Sequence, residues 1–240
     1  MKIITIIQAR MGSTRLHGKV LKPLGDTNVL TYVVERCRKI EGVAEVIVAT
    51  SSLPQDDAIA SWCEKHFVTY YRGSEEDVLD RYIQCAKFYK PDYVMRVTSD
   101  CPFVDYEMAS EMVALVKSTK VEVIYIEKQL PRGLAVEIIC YNALCRIHEI
   151  STEQRHREHV TYYAYEFKDE FSYETYEPPS NRQYPQFRIT LDTEDDYILC
   201  NAIADHFNDK YISSADVIAY LNSNHEVAEI NAHVEQKEVK

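Results

Sequence analysis

"KIITIIQARMGSTRLHGKV" (residues 2–20) is a β-branched run that turns abruptly into a polar loop with two glycines. The run over residues 2–7 predicts a buried strand, because continuous apolar residues suit a strand that is covered on both faces. Downstream, apolar strands alternate with segments of helical spacing as far as about residue 120. This alternation predicts an α/β fold with a mostly parallel central sheet flanked by helices.

The pattern changes after residue 120. Two apolar runs predict adjacent strands, "VEVIYIE" (121–127) and "LAVEIICY" (134–141). A longer segment, "EQRHREHVTYYAYEF" (153–167), predicts a helix, and "FRITLD" (187–192) predicts a last strand. We therefore expect a single domain over residues 1–223, with a small β/α lobe within residues 121–185. Residues 224–240 are expected to form a polar C-terminal tail.

The overall charge limits the classes of partner. The chain has 27 basic and 38 acidic residues, a net charge of −11, which argues against nucleic acid or an anionic membrane as a partner. No apolar stretch approaches the length of a membrane span. Seven scattered cysteines with no C-x-x-C pair, and a start that does not read as a secretory signal, predict a cytoplasmic location.

Three places along the chain are candidates for a ligand site. In open parallel sheets, ligands bind outside the carboxyl ends of the strands, where the strand order switches. The predicted strands end at Gln8, Thr98 and Leu191, and each end is followed by charged residues.

The loop after Gln8 has the composition of an anion site. It combines fixed positive charge, glycines that let backbone N–H groups approach an anion, and a hydroxyl donor: Arg10, Arg15, Lys19, Gly12, Gly18 and Ser13. This pattern favours a triphosphate ligand over a solvated turn, although it matches neither the dinucleotide-binding nor the Walker motif.

The other two strand ends each carry an aspartate. Asp100 and Asp192 could share one Mg²⁺ with substrate phosphates, since such sites often use only one or two protein carboxylates. Asp100 could instead cap a turn before Pro102, and the acidic residues after Thr193 suit the start of a helix. Basic groups for a triphosphate and carboxylates for a metal together indicate nucleotidyl transfer.

Six segments in order carry a family resemblance: "IIQARMGSTRLHGKVLKPL", "VIVATS", "RGSEEDVLDRY", "TSDCPFVD", "REHVT" and "RITLDTEDDY". Residues 2–207 thereby resemble the SpsF-like (spore coat polysaccharide biosynthesis) cytidylyltransferases, which are relatives of the acylneuraminate and 3-deoxy-manno-octulosonate cytidylyltransferases. The resemblance implies a nucleotide-diphospho-sugar transferase fold of the glycosyltransferase-A type. It also implies that CTP and a sugar-acid acceptor give a CMP-sugar and pyrophosphate, with Mg²⁺ as cofactor.

The resemblance also implies roles for individual residues. The catalytic residues would be Arg10, Lys19 and Asp100, and the metal ligands Asp100 and Asp192. CTP would be bound by the opening loop and by a segment that closes over it: Ala9, Arg10, Gly12, Ser13, Arg15, Lys19, Arg72, Ser74, Asp77 and Arg81. The acceptor would meet Glu137, Arg157 and His159. Ser74 could equally cap a helix, and His159 could be a packing residue.

Two positions depart from the family pattern. His17 replaces a proline, and Ala135 replaces an aspartate in the segment expected near the acceptor, which leaves the acceptor's identity open. Two other functions stay open: a UDP- or dTDP-sugar pyrophosphorylase that uses a sugar 1-phosphate, and a nucleotide-binding protein without catalysis. The resemblance further implies a homodimer, built through residues 121–167.

Overall fold

The computed structural model describes residues 1–127 and 129–236. The strands are β1 (Ile3–Gln8), β2 (Pro23–Leu24), β3 (Thr27–Asn28), β4 (Glu45–Ser51), β5 (Thr69–Gly73), β6 (Tyr93–Thr98), β7 (Val123–Ile126), β8 (Glu137–Cys140) and β9 (Tyr173–Tyr176). The helices are α1 (Val29–Arg38), α2 (Asp57–Lys65), α3 (Val78–Tyr89), α4 (Tyr106–Thr119), α5 (Tyr141–Ile150), α6 (Gln154–Glu158), α7 (Tyr162–Glu166), α8 (Glu194–Phe207), α9 (Ser214–Ser223) and α10 (His225–Ala228).

Seven of these strands form one sheet in the order β5-β4-β1-β6-β8-β7-β9. All neighbouring pairs are parallel except those of β8, which runs antiparallel to both β6 and β7. The prediction of a mostly parallel sheet flanked by helices is therefore confirmed. Strands β7, β8 and β9, from the predicted β/α lobe of residues 121–185, extend this same sheet.

Helices cover the sheet on both faces, which explains the unbroken apolar run of β1. Ile3 and Ile7 pack into one core with helices α1, α2, α4, α8 and α9. Ile4 and Ile6, which point to the opposite face, pack into a second core with helices α3, α5 and α7. Because successive side chains of a strand alternate between faces, both halves of the run must be apolar.

The strand order switches between β1 and β6. From β1 the chain proceeds outward through β4 and β5, and then returns to β6 on the other side of β1. Gln8 at the end of β1 pairs in register with Thr98 at the end of β6. The loops that follow these two residues therefore leave the sheet side by side, at the crevice where such sheets bind ligands.

Two local predictions are wrong, and some short strands were not predicted. Residues 187–192 form no strand. Ile189 N–H donates to the Arg132 carbonyl and Leu191 N–H to the Asp100 carbonyl, so these backbone hydrogen bonds go to two separate loops and form no continuous ladder. The predicted helix over residues 153–167 is two short helices, α6 and α7, interrupted at His159, whose backbone is non-helical. Strands β2, β3 and β9 were not predicted from the sequence.

Part of the predicted tail is packed against the domain. Asn231 is 2% exposed, and Val227 and Ile230 pack against the first core. Residues 237–240 of this tail lie outside the described residues. None of the described helices combines the length and the apolar character that crossing a membrane requires.

Candidate active site

Lys19 lies where the three predicted places meet. Its Nζ donates to Asp100 Oδ2 at 3.0 Å and to Asp192 Oδ1 at 2.7 Å, and the residue is only 8% exposed. Burial lowers the pKa of Lys19, but the two carboxylates outweigh burial and raise this pKa above its usual value. The site therefore contains a charged ammonium between two carboxylates.

The opening loop folds back on itself before it reaches Lys19. The backbone N–H groups of Ser13 and Gly18 both donate to the Met11 carbonyl, at 2.9 and 3.2 Å. Met11 N–H is bound in turn by the buried carboxylate of Asp56 at 2.6 Å. Gly18 has φ of +65°, a left-handed conformation that a glycine adopts without strain, and the turn that begins with Lys19 follows directly.

Asp100 is tied to both neighbouring segments. Burial raises the pKa of its carboxyl group, but the charge of Lys19 and hydrogen bonds from Thr98 and Lys19 lower this pKa below its usual value overall. The Asp100 carbonyl accepts from Leu191 N–H at 2.8 Å and from the Thr190 hydroxyl at 3.0 Å. These bonds bring the segment of Asp192 to the end of β6 without a strand.

Asp192 is surrounded by cations. Its Oδ2 is 2.8 Å from Arg188 Nη2 and 3.1 Å from Arg15 Nη2, while its Oδ1 is bound by Lys19. The sequence reasoning missed Arg188, which is 8% exposed. The available signal was a basic residue within the apolar run "FRITL", four positions before Asp192.

Thr193 and Asp196 start α8 as predicted, in a capping box where each side chain accepts from the other's backbone N–H. Asp196 is fully buried, and it also binds Arg188 Nε at 2.9 Å and Asn231 Nδ2 at 2.7 Å. Its role is therefore wider than the helix start that the sequence predicts.

Asp100 and Asp192 are the carboxylates that could hold a metal ion here. Within residues 1–127 and 129–236, no group of three or more His, Cys, Asp or Glu side chains is arranged as a metal site. Two carboxylates suit Mg²⁺ when substrate oxygens and water complete the coordination. The Lys19 ammonium between them shows that this pair of carboxylates accepts a cation.

Among the other residues of the opening loop, Arg10 lines a cleft, whereas Ala9 and Gly12 pack against neighbouring segments. Ala9 is buried and extends the register of β1 by donating to the Ala49 carbonyl at 3.1 Å. Arg10 is exposed, lies 3.4 Å from Glu75, and lines a cleft together with Glu158. Gly12 lies close to the turn that precedes α2, because a Cβ at this position would come within 2.9 Å of Gln55 Nε2.

The segment expected to close over the nucleotide is held by bonds within the protein. Arg72 donates from Nε to the Ser51 carbonyl and from Nη2 to the Leu53 carbonyl, both at 2.9 Å. The N-cap of α3 is Asp77, so Ser74 is not the cap; its hydroxyl accepts from Asp77 N–H at 3.0 Å in the preceding turn.

Arg81 lies behind this turn. It is 2% exposed, donates from Nη1 to the Ser74 carbonyl at 2.5 Å, and has its pKa lowered by burial. The contacts of Arg81 therefore support the turn of Ser74, which borders the cleft through the next residue, Glu75.

Glu137 lies at the same end of the sheet, because it pairs in register with Arg96 of β6. Its Oε2 accepts from Arg96 Nη1 at 2.7 Å and from the Thr161 hydroxyl, and Arg96 Nε reaches Gln8 at 3.2 Å. Burial and the charge of Arg96 lower the pKa of His159. Sequence reasoning missed Arg96, whose signal was an arginine inside the buried strand "YVMRV".

Arg157 has other partners. Its Nε donates to Asp77 at 2.9 Å, its Nη2 also contacts Asp77, and its Nη1 donates to the His148 carbonyl at 2.8 Å. All three nitrogens thus bind protein groups, at the N-cap of α3 and on α5. This geometry favours a structural role, and it gives no support to the expected role in binding an acceptor.

Comparisons with known proteins agree with this arrangement. The chain is 35% identical over 232 residues to the spore coat polysaccharide biosynthesis protein SpsF of Bacillus subtilis, covering 94% of this chain and 96% of that one. It is 33% identical over 114 residues to the 3-deoxy-manno-octulosonate cytidylyltransferase of Geotalea daltonii, which covers 48% of this chain and 44% of that one.

A solved cytidylyltransferase from Leptospira borgpetersenii superposes with a TM-score of 0.89 at 31% identity, covering 99% of both chains. The family model described as cytidylyltransferase matches residues 4–238. With the sheet order and the convergence of the three strand ends, these matches show that the chain belongs to the cytidylyltransferase family.

Proposed function

We propose that this protein transfers CMP from CTP to a hydroxyl of a sugar acid and releases pyrophosphate, with Mg²⁺ as cofactor. The observation that carries the proposal is the ammonium of Lys19 held between Asp100 and Asp192 at the strand-order switch. Family membership supports CTP as the nucleotide. The similarity to a 3-deoxy-manno-octulosonate cytidylyltransferase supports a sugar acid as the acceptor.

The cations of the opening loop would bind the triphosphate. Arg15 and Lys19 now neutralise carboxylates, and Arg10 borders the cleft. Phosphate oxygens can replace carboxylate oxygens on these side chains, because both are anionic acceptors that bind guanidinium and ammonium groups. In the reaction the acceptor hydroxyl oxygen would form a bond to the α-phosphorus and its proton would pass to water. The bond between the α-phosphorus and the oxygen that bridges it to the β-phosphorus would break, which releases pyrophosphate. The positive groups stabilise the charge on the departing pyrophosphate.

Asp100 and Asp192 would hold the metal ion. Their donor set fits Mg²⁺ only in combination with phosphate oxygens, which agrees with a metal that enters together with the nucleotide. When bound, Mg²⁺ would neutralise phosphate charge and so ease attack at the α-phosphate.

The acceptor would bind beside Glu137. This carboxylate can accept hydrogen bonds from sugar hydroxyls, and Thr161 and Arg96 fix its position. Arg96 is a cation at this place, so we assign the binding of the acceptor carboxylate to Arg96 rather than to Arg157. Ala135 is exposed two residues before Glu137, and its small side chain leaves room for an acceptor substituent.

The test is release of pyrophosphate from CTP and Mg²⁺ with a panel of sugar acids: sialic, legionaminic, pseudaminic and 3-deoxy-manno-octulosonic acid. We expect turnover with one of them, and a loss of about 100-fold or more in Asp100→Asn. Asp195→Asn, on the first turn of α8, is the matched control and should keep full activity. Undiminished turnover in Asp100→Asn would contradict the metal assignment.

The product would serve as an activated sugar for a surface polysaccharide. The full-length similarity to SpsF, named for spore coat polysaccharide biosynthesis, supports this role. CTP is a cytoplasmic metabolite, so the proposed reaction requires a cytoplasmic location.

A further inference from the structure

Arg188 orients Asp192 together with Arg15 and Lys19, and it is the partner that other buried side chains hold in place. The guanidinium group of Arg188 binds Asp192 Oδ2 through Nη2 at 2.8 Å, and it is itself fixed by Asp196 through Nε at 2.9 Å. Its third nitrogen, Nη1, donates to Gln236 Oε1 at 2.7 Å. A rotation of this guanidinium would therefore move the carboxylate that faces Lys19.

Asn231 fixes both partners of this pair. Its Nδ2 donates to Asp196 Oδ1 at 2.7 Å and to the Arg188 carbonyl at 2.9 Å. Asn231 is 2% exposed and Asp196 fully buried, so these bonds are made away from water. Asp196 Oδ2 also accepts from Asp192 N–H at 2.9 Å, which ties the backbone of the proposed metal ligand to the same carboxylate.

The network is larger than the start of a helix requires. The reciprocal bonds between Thr193 and Asp196 already satisfy the first turn of α8. A buried ion pair with additional hydrogen bonds is a weak source of stability, because desolvation offsets much of the attraction. Arg188 and Asn231 instead share one geometric consequence, which is a fixed Asp192 carboxylate.

We propose that Asn231, from the C-terminal segment 224–236, is a positioning residue for nucleotidyl transfer. It acts through Asp196 and Arg188, which hold Asp192 in the orientation needed for a metal ion bound with the nucleotide. The inference rests on the proposed function, because it assigns the C-terminal segment to that same site. Removing a direct hydrogen-bond partner of a metal ligand typically lowers metal affinity by about 10- to 100-fold, and Asn231 acts one step further away, so we expect the lower end of this range.

The test compares Asn231→Ala with Asn201→Ala. Asn201 also lies at α8 and donates from Nδ2 to a backbone carbonyl, that of Tyr197, at 2.8 Å, so it is a matched control. Mn²⁺ affinity is measured by electron paramagnetic resonance with CTP present, and CTP affinity by calorimetry in EDTA. We expect Asn231→Ala to bind Mn²⁺ about tenfold more weakly, with CTP affinity in EDTA unchanged, and Asn201→Ala to match the wild type.

Three results would overturn the positioning role. The first is that folded Asn231→Ala binds Mn²⁺ as tightly as the wild type does, even if the melting temperature of the variant is lower. If Asn231→Ala does not fold, Gln236→Ala replaces it in the test, because Gln236 is exposed and also binds Arg188. Unchanged Mn²⁺ affinity in Gln236→Ala would then overturn the positioning role. A wild type that binds neither CTP nor Mn²⁺ would refute the proposed function itself, and the positioning role with it.

Discussion

Lys19 donates to Asp192 at 2.7 Å across 173 positions of the sequence. The same ammonium reaches Asp100 at 3.0 Å, so one cation joins the first loop, the end of β6 and the segment before α8. Buried charges attract each other strongly, and each one needs an opposite charge or hydrogen bonds to offset its loss of hydration. A triphosphate that binds Lys19 would release both carboxylates for a metal ion, which couples nucleotide and metal binding.

Replacing Lys19 by methionine should affect both stability and catalysis. The two carboxylates would lose a shared partner, so we expect a loss of roughly 3 kcal/mol in the free energy of unfolding. Turnover should fall by about 100-fold or more, because a cation at the triphosphate is lost. Urea denaturation and pyrophosphate release measure the two effects.

Lys22→Met is the control for this prediction. Lys22 lies 3.9 Å from the exposed carboxylate of Glu194, and surface pairs of this kind contribute less than about 1 kcal/mol. If Lys19→Met behaves like Lys22→Met in both measurements, Lys19 is not the organising cation of the site.

Glu137→Gln should affect the acceptor alone. The substitution keeps the shape of the side chain but removes the charge that faces Arg96, so the acceptor pocket loses a strong hydrogen-bond acceptor. We expect the acceptor KM to rise by about tenfold, equivalent to about 1.4 kcal/mol, while CTP affinity stays unchanged. If the acceptor and CTP lose binding affinity equally, Glu137 has no specific role in acceptor binding.

Arg157→Lys tests whether Arg157 has a structural role through its bonds to Asp77 and His148. Lysine cannot reproduce the forked contact with Asp77, so we expect the free energy of unfolding to fall by about 1 kcal/mol. The KM for the acceptor should stay within about twofold of the wild type. A tenfold rise in this KM at unchanged stability would restore the acceptor role that the sequence predicts.

Cys101→Ser should retain activity. Burial raises the pKa of the Cys101 thiol to about 12, so at pH 8 the sulfur is protonated and a poor nucleophile. We expect kcat within about threefold of the wild type, since the hydroxyl can replace the thiol beside Thr98. Alkylation of native protein with iodoacetamide should spare Cys101, and inactivation that tracks its modification would contradict this view.

The face of α7 and β9 should mediate a homodimer. Tyr165 and Tyr173 are 41% and 42% exposed and both pack against Tyr125, so they form a group of exposed aromatic rings of the kind found in interfaces. We expect light scattering after size exclusion to give twice the chain mass, and Tyr173→Glu to give a monomer. Phe88→Glu, which alters an exposed ring on α3, should remain a dimer. A monomeric wild type at micromolar concentration would refute the homodimer.

The sequence was sufficient for the parts of the structure that local patterns determine. The apolar run of β1 and the alternation after it predicted the parallel sheet, and the strand-end rule brought Asp100 beside the loop of Lys19. It could not show that residues 187–192 reach the site without a strand, because their bonds go to Arg132 and Asp100 in distant loops. It also missed Arg96 and Arg188, whose buried charges have meaning only once their carboxylate partners are in place.

The central claim is that the loop of Lys19 binds CTP together with a metal ion. The most direct measurement is thermal unfolding of the wild type with CTP, UTP, dTTP, ATP or GTP, each with and without Mg²⁺. A ligand at 100 times its Kd adds about 2.7 kcal/mol. For a chain of this size, this corresponds to a rise of about 5–10 °C in Tm. The account predicts this rise for CTP, larger with Mg²⁺, and its loss in Lys19→Met. A rise with UTP or dTTP instead would indicate a sugar 1-phosphate enzyme, and no rise with any nucleotide would contradict the account.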